Sequence, residues 1–507
     1  MREKITSIES LKKTITKLKT KGKKIVLCHG VFDLLHIGHI NHFQAAKDCG
    51  DIVIVSVTSD KYVNKGPNRP AFNEQNRLKA LAALKVVDYV LLNRSATAVQ
   101  IIKELKPNVY CKGKDYKFNQ NDITSEIRNE INAVREIGGK IIYTKGIVFS
   151  SSNLINRFGK THSLHQKAII AKIKKKYSFL EIIKLIENFK KLRVLVIGEI
   201  IIDQYVFCEA IGKSGKEPVL ALKDVKSEQY LGGAGAICRH LSSFCNKISL
   251  LSMVGEKGEF IKDIKKSLPK NVNFTYIKKD KSPTIVKKRF LDNASYNKVL
   301  GVYSLNDDLL TRSDEKKFIK LLKKQLSHHD LVITSDYGHG LISSTSAKLI
   351  SKHSKYLALN AQVNAANIGY HSMRNYKNVD CVIINENEIR HELRDKNSNI
   401  KFLMKKLSKT QNINNLVVTR GSLGAVLYDN NKNKFTNCGA LANVAIDKIG
   451  AGDAMLSVIA FFFKCGFSNE LSLLGGSLAA AQSAETIGNK KSVSKTKILK
   501  TLYHLLK

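Results

Sequence analysis

At 507 residues the chain is too long for one ordinary core, and 43% hydrophobic with 25% charged residues is the balance of globular domains rather than of fibres or disordered chains. A formal charge of +41 points to anionic partners, yet the lysines run along the whole length, Trp is absent and no aromatic or basic nucleic-acid motif stands out, so specific nucleic-acid binding is not expected. No apolar run reaches membrane-spanning length and the N-terminus lacks a signal-type apolar core, so a cytoplasmic protein without a membrane partner is expected.

In chain order, short apolar runs ending in turn residues predict buried parallel strands at 23–33, 51–60, 89–95, 108–113 and 140–146, with a helical pattern over 73–87 between them. The basic stretch 157–177 reads as a linker leading into an amphipathic helix at 178–191. Strands are then expected at 192–203, 329–338, 355–360, 379–385 and 414–421, and a buried helix around 454–463. Strand–helix alternation on this scale predicts an α/β protein with domains at 1–157 and 191–507, joined by a basic linker and helix over 158–190. Nine cysteines are scattered singly with no C-x-x-C pair, which argues against a disulfide framework and a structural zinc site, and for small buried hydrophobes.

Two stretches carry chemistry. In HGVFDLLHIGH (29–39), Gly30 allows a tight turn after the first strand, and His36 and His39, three apart, share one face of a helix start. Backbone amides there can face an anion, and imidazoles beside them can donate to phosphate oxygens. A phosphate grip is favoured over a metal clip or a pair of core histidines, since no further ligands appear at zinc spacing. In DKIGAGDAML (447–456), Gly450 and Gly452 let N–H groups converge at a helix N-terminus. Asp453 stands at its mouth, able to take a proton from a hydroxyl or simply to cap the helix.

GVFDLLHIGH resembles the G-x-F-D-x-x-H-x-G-H signature of cytidylyltransferase-like nucleotidyltransferases. NRPAFNEQNRLKALAALKVVDYV (68–90), PNVYCKGKDY (107–116) and FSSSN (149–153) resemble segments of heptose-1-phosphate nucleotidyltransferases. The resemblance implies a small Rossmann-like domain in which His36 and His39 stabilise the α-phosphate. Nucleotide contacts are implied at Gly30, Phe32, Asp33, Gly38, Lys65, Arg77, Lys112, Lys145 and Ser150, Ser151 and Ser152. Lys145 stands where arginine is common, which loses a bidentate phosphate contact.

YLGGAGAICRHL (230–241), INENE (384–388) and VVTRGSLGA (417–425), together with GAGD, resemble the motifs of ribokinase-like (PfkB-family) sugar kinases. This implies a larger ribokinase-like α/β domain with a small β lid, Asp453 as general base, and the amides of Gly450, Ala451 and Gly452 as the anion hole. It also implies ATP contacts at Asn385, Glu388, Thr419, Gly421 and Gly424, and Mg²⁺ organised by Glu388 through water. Asp203, Gly232, Gly233 and Arg289 would hold the sugar, and the Arg289 and Asp336 regions look like those of heptose-7-phosphate kinases. The sequence departs from the family at Ala236 (Asn expected), at Asn360 to Gln362 (Asp-Pro-Lys expected) and at Ala454 (Thr or Ser expected), which loosens the sugar's identity.

Together the halves resemble the bifunctional enzymes that make ADP-heptose for surface polysaccharide, in reversed order. The resemblance implies a kinase using ATP, a nucleotidyltransferase using ATP or CTP, sugar-phosphate substrates, and a homodimer formed through the kinase domain. A second reading is a CTP-dependent polyol- or sugar-phosphate cytidylyltransferase whose kinase half is degenerate or acts on another carbohydrate.

Overall fold

The computed structural model describes residues 4–66, 69–113, 126–144, 163–363, 367–442 and 445–506. The chain divides into two compact units, one formed by residues 1–163 with 496–507, the other by 164–495.

The first unit is built on five strands, β1 (Ile25–Gly30), β2 (Ile52–Thr58), β3 (Tyr89–Asn93), β4 (Val109–Gly113) and β5 (Lys140–Thr144), in the order β3-β2-β1-β4-β5. All pair in parallel. β1 and β2 are the apolar runs IVLC and IVIVSV, buried because helices cover both faces of a parallel sheet. One layer holds Val26, Cys28, Phe43, Val55 and Leu78, the other Leu11, Leu27, Ile54 and Ile102. Sequential strands run outward from β1 on one side and resume at β4 on the other. The carboxyl ends of β1 and β4 therefore flank a topological switch point, the place where such sheets bind ligands.

The second unit carries β6 (Arg193–Gly198), β7 (Ile200–Lys213), β8 (Leu220–Gly233), β9 (Lys247–Gly255), β10 (Val272–Lys279), β11 (Val286–Asp292), β12 (Lys298–Ser304), β13 (Leu331–Asp336), β14 (Leu357–Ala361), β15 (Val379–Asn385), β16 (Ile413–Thr419), β17 (Ala425–Asp429) and β18 (Lys434–Cys438). Nine of them form one sheet, β10-β9-β6-β13-β14-β15-β16-β17-β18, parallel except for the last two, and β12-β11-β7-β8 form a smaller one. The smaller sheet is half-covered: β12 is exposed throughout, and Ile211, Leu220, Leu300 and Val302 face solvent.

Three expectations changed. The strand expected over 192–203 breaks at Glu199 into two that join different sheets. At Gly198 (φ 155°) the backbone passes so close to β13 that a Cβ would lie 2.1 Å from the Ser335 carbonyl oxygen. The stretch expected as a linker forms a helix of the second unit, Leu164–Lys176, ahead of the expected helix, which spans Phe179–Asn188. The first is tied in by Gln166, which donates to the Ala440 carbonyl at 2.8 Å, and the second starts on a Ser178–Glu181 capping box. Residues 496–507, expected with the kinase half, group with the first unit, where Lys500 pairs with Glu126 at 2.7 Å.

Candidate active sites

In the first unit the chain leaves β1 at Gly30 and turns through Phe32, in the left-handed region at φ 48°. His36 then caps the Ile37–Lys47 helix, its Nδ1 accepting from the Gly38 amide at 3.1 Å. Because Nδ1 is the acceptor, the neutral ring carries its hydrogen on Nε2, which makes that nitrogen a donor. His39 stacks on His36, ring centroids 3.9 Å apart and 20° from parallel, and Phe32 meets His39 edge-on at 5.3 Å. Burial lowers both histidine pKa values, His39 to about 3, and the Lys65 charge adds to the effect at each ring. The pair on its own is therefore neutral at physiological pH.

The remaining nucleotide contacts implied by resemblance divide. Lys65 belongs with the histidines. Asp33 is buried and accepts from Arg69 Nε at 2.5 Å and from the Ala71 amide at 2.6 Å, fixing the loop that follows residue 68. Arg77 is 2% exposed, and four of its N–H groups go to the carbonyls of Val31, Phe72 and Thr58 and to Asp60. This is the bonding of a brace. Lys112 pairs with buried Glu130 at 2.9 Å, and that charge helps to hold the Glu130 carboxyl down at about 2 against its burial. Lys145 and Ser150 to Ser152 lie outside the described residues.

In the second unit Gly450 (φ 83°) caps the Ala451–Lys464 helix, leaving the first-turn N–H groups without intrahelical acceptors. A Cβ at Gly450 would strike Asn489 Oδ1 at 2.2 Å, whereas one at Gly452 would meet nothing within 4 Å, so Gly452 faces open space. Asp453, in that first turn, accepts a hydrogen bond from the Tyr337 hydroxyl at 2.7 Å. The carboxyl group remains partly accessible, yet desolvation pushes its pKa up to about 7, against the lowering effect of Tyr337. A carboxylate of that pKa is matched to taking a proton from a hydroxyl near neutrality.

Asp203 on β7 lies beside this helix start and raises the Asp453 pKa. It pairs with Arg289 of β11 at 2.5 Å, and a Cβ on Gly232 would sit 2.2 Å from its Oδ2. Glycine there is what leaves room for the carboxylate. Gly233 (φ 57°) passes close to the Glu199 carbonyl, where a Cβ would lie at 2.3 Å. Ala236 is buried inside the following helix, and Asn360 donates to the Ile383 carbonyl at 2.6 Å. Asn385 and Glu388 form a capping box, Glu388 Oε2 accepting from the Asn385 amide at 2.7 Å and Asn385 Oδ1 from the Glu388 amide at 2.9 Å. Burial raises Glu388 to about 7, and Asp453 adds to the rise. Gly424 (φ 86°) permits the turn after Thr419 and Gly421, since a Cβ there would meet the Cys438 carbonyl at 2.1 Å.

The sequence reading did not single out three contributors. Tyr337 follows Asp336 in SDYGHG, a stretch noted only as a region. Buried Glu199 accepts from the Tyr337 amide at 3.0 Å and the His339 amide at 3.2 Å, so it fixes the loop that carries Tyr337. Lys287 stands two residues before Arg289 with its ammonium over the Tyr303 and Tyr337 rings. The LysLysArg run at 287–289 was the available signal.

Residues 191–496 match the model of the pfkB family carbohydrate kinases, and residues 27–158 match the cytidylyltransferase-like model. Among curated proteins, the "Bifunctional protein HldE" of Aliarcobacter butzleri is 37% identical over 138 residues, 27% of this chain and 29% of that protein. The HldE of Geobacter metallireducens is 43% identical over 115 residues, 22% of this chain and 24% of that protein. The chain thus spans under a third of the length of these relatives. Phosphofructokinase-2 from Escherichia coli, crystallised in complex with potassium, superposes with a TM-score of 0.50 at 14% identity, over 62% of this chain and all of that one, which is a likeness of fold. The kinase model covers more than half of the sequence, and the chain belongs to the pfkB family of carbohydrate kinases, with a cytidylyltransferase-like domain ahead of the kinase domain.

Proposed function

We propose that the protein is a bifunctional enzyme of nucleotide-sugar synthesis. The kinase half phosphorylates the anomeric hydroxyl of a heptose 7-phosphate from ATP. The N-terminal half joins a sugar 1-phosphate to a nucleoside monophosphate drawn from ATP or CTP, releasing pyrophosphate. The observation that carries this reading is one arrangement occurring twice. In each unit a glycine-containing helix start stands next to groups of suitable protonation, Asp453 in one and the His36–His39 pair in the other.

In the kinase half, Tyr337 engages Asp453 Oδ1 and leaves Oδ2 to take the sugar hydroxyl's proton. The amides of Gly450, Ala451 and Gly452 face the charge that develops on the transferring phosphoryl group. Asp203, Gly232, Gly233 and Arg289 hold the sugar, with Lys287 beside them. Asn385, Glu388, Thr419, Gly421 and Gly424 shape the ATP side. Glu388, a buried carboxylate close enough to feel the charge of Asp453, is the oxygen donor that would hold Mg²⁺ here. When bound, it screens the phosphate charges, and Glu388 reaches it through water.

In the N-terminal half, the sugar phosphate attacks the α-phosphorus, and His36 Nε2–H and His39 donate to the α-phosphate oxygens as charge builds. Lys65 serves the leaving pyrophosphate, as do Lys145 and Ser150 to Ser152 in this reading. Asp33, Arg77 and Lys112 act from behind by holding the loops. The enzyme works in the cytoplasm on phosphorylated small molecules, not on nucleic acid or membranes. It pairs as a homodimer through the exposed apolar face of the smaller sheet.

The test offers each nucleoside triphosphate with heptose 7-phosphate, heptose 1-phosphate and a polyol phosphate, and scores ADP and pyrophosphate separately. ADP with heptose 7-phosphate and pyrophosphate with heptose 1-phosphate are expected. Pyrophosphate with the polyol phosphate alone, and no ADP from any sugar, would overturn the assignment.

A further inference from the structure

Beneath the histidine site the fold assembles a donor cluster that nucleotidyl transfer does not use. Cys28 on β1 and Cys111 on β4 are register partners on neighbouring parallel strands, so their side chains share a face. His42 lies on the Ile37–Lys47 helix, whose Phe43 and Ala46 pack in the same layer as both cysteines. The two sulfurs and one nitrogen of His42 lie within 4.8 Å of one another. We propose that Cys28, His42 and Cys111 form a binding site for one zinc-class divalent cation that pins the histidine-bearing helix to the sheet.

Three physical points support it. Tetrahedral zinc bonds place sulfur and nitrogen ligands roughly 3.5–3.8 Å apart, so closing the trio asks for about 1 Å of side-chain movement. Two thiolates cancel a 2+ charge, and a neutral complex suits a layer that also holds Val26, Val53, Val55, Phe43 and Leu78, with the Lys112 ammonium near enough to act on Cys28 and His42. The outer contacts also fit. His42 Nδ1 lies 2.8 Å from Thr144 Oγ1, and with the Thr144 hydroxyl donating to the Lys112 carbonyl at 3.4 Å that oxygen is an acceptor for His42 Nδ1. In that tautomer the hydrogen is on Nδ1 and Nε2 keeps the lone pair a metal needs, the arrangement in which metal-binding histidines are usually held. The sequence hid the site because its ligands stand at 28, 42 and 111. Strand register brings them together, not spacing along the chain.

The experiment uses the full-length protein, stripped with chelator, kept reduced and titrated with Co²⁺. One equivalent is expected to give a thiolate-to-cobalt charge-transfer band in the near ultraviolet, displaced by one equivalent of Zn²⁺. Cys28→Ser, Cys111→Ser and His42→Ala are each expected to lose the band. Cys49→Ser, a thiol outside the trio, is expected to keep it, and Thr144→Val to weaken zinc binding by about tenfold. A wild-type titration without the band overturns the proposal, as does a band that survives the Cys28/Cys111 double change or vanishes in Cys49→Ser. Should the cysteine variants fail to fold, the wild-type and Thr144→Val titrations still decide.

Discussion

Changing Tyr337 to Phe removes one hydrogen bond from Asp453, the proposed base, and leaves the ring in its packing. The Tyr337 hydroxyl lies 2.7 Å from Asp453 Oδ1 and lowers a pKa that burial has raised to about 7. A hydrogen bond to a charged group contributes about 1.5–3 kcal/mol, and one pKa unit corresponds to about 1.4 kcal/mol. Losing the bond therefore moves Asp453 up by about 1–2 units, to a midpoint between about 8 and 9. The base must be ionised to accept a proton, so at pH 7 the competent fraction falls from about half to between a tenth and a hundredth, and it recovers as pH rises. The assay is kcat/KM for ADP formation against pH in the wild type and Tyr337→Phe, with pyrophosphate release from the same preparation as a control. The acid limb should shift upward while pyrophosphate release stays unchanged. A superimposable profile, or a loss equal at every pH, would refute the role given to Tyr337.

Other outcomes follow from the same geometry. Gly232→Ala places a Cβ 2.2 Å from Asp203 Oδ2 and should raise the KM for the sugar about tenfold or more, with a smaller change in kcat, read from steady-state kinetics. Breaking the buried Asp33–Arg69 pair by Arg69→Ala strands a carboxylate and should cost about 3–5 kcal/mol, seen as a lowered midpoint for the first unit's unfolding. Binding a nucleoside triphosphate should raise the depressed pKa values of His36 and His39. Calorimetry at pH 6 in buffers of different ionisation enthalpy should then report proton uptake that disappears by pH 8. Glu130 titrates at about 2 in the fold against 4.5 as its ordinary value. Its contribution to stability is complete above the ordinary value and should fade as pH falls from there toward 2, and Glu130→Gln should flatten that part of the denaturation profile.

Central strands were readable from sequence because both faces are buried and the code is a plain apolar run, as in β1, β6 and β15. The strands of the smaller sheet were not. β12 is exposed at every position, and most of β8 is polar and solvent-facing, so neither shows the alternation of a half-buried strand. His36, His39 and Asp453 stand out as candidates in the sequence because they sit beside glycines at helix starts, where local sequence sets local geometry. The partners of Arg77 were hidden for the opposite reason. Which acceptors fill its guanidinium is decided by Val31, Thr58 and Asp60, brought in from two other loops. Tyr337 reaches Asp453 across 116 positions of chain, a distance no spacing rule spans.

The most direct test of two separate sites in one chain is a crossed assay on His36→Ala and Asp453→Asn. Each variant is supplied with both sugar phosphates, and ADP and pyrophosphate are scored in parallel. His36→Ala should lose pyrophosphate release by about 100-fold or more and keep ADP formation, while Asp453→Asn should do the reverse. Either variant losing both products while remaining folded, or Asp453→Asn retaining full ADP formation, would contradict the account.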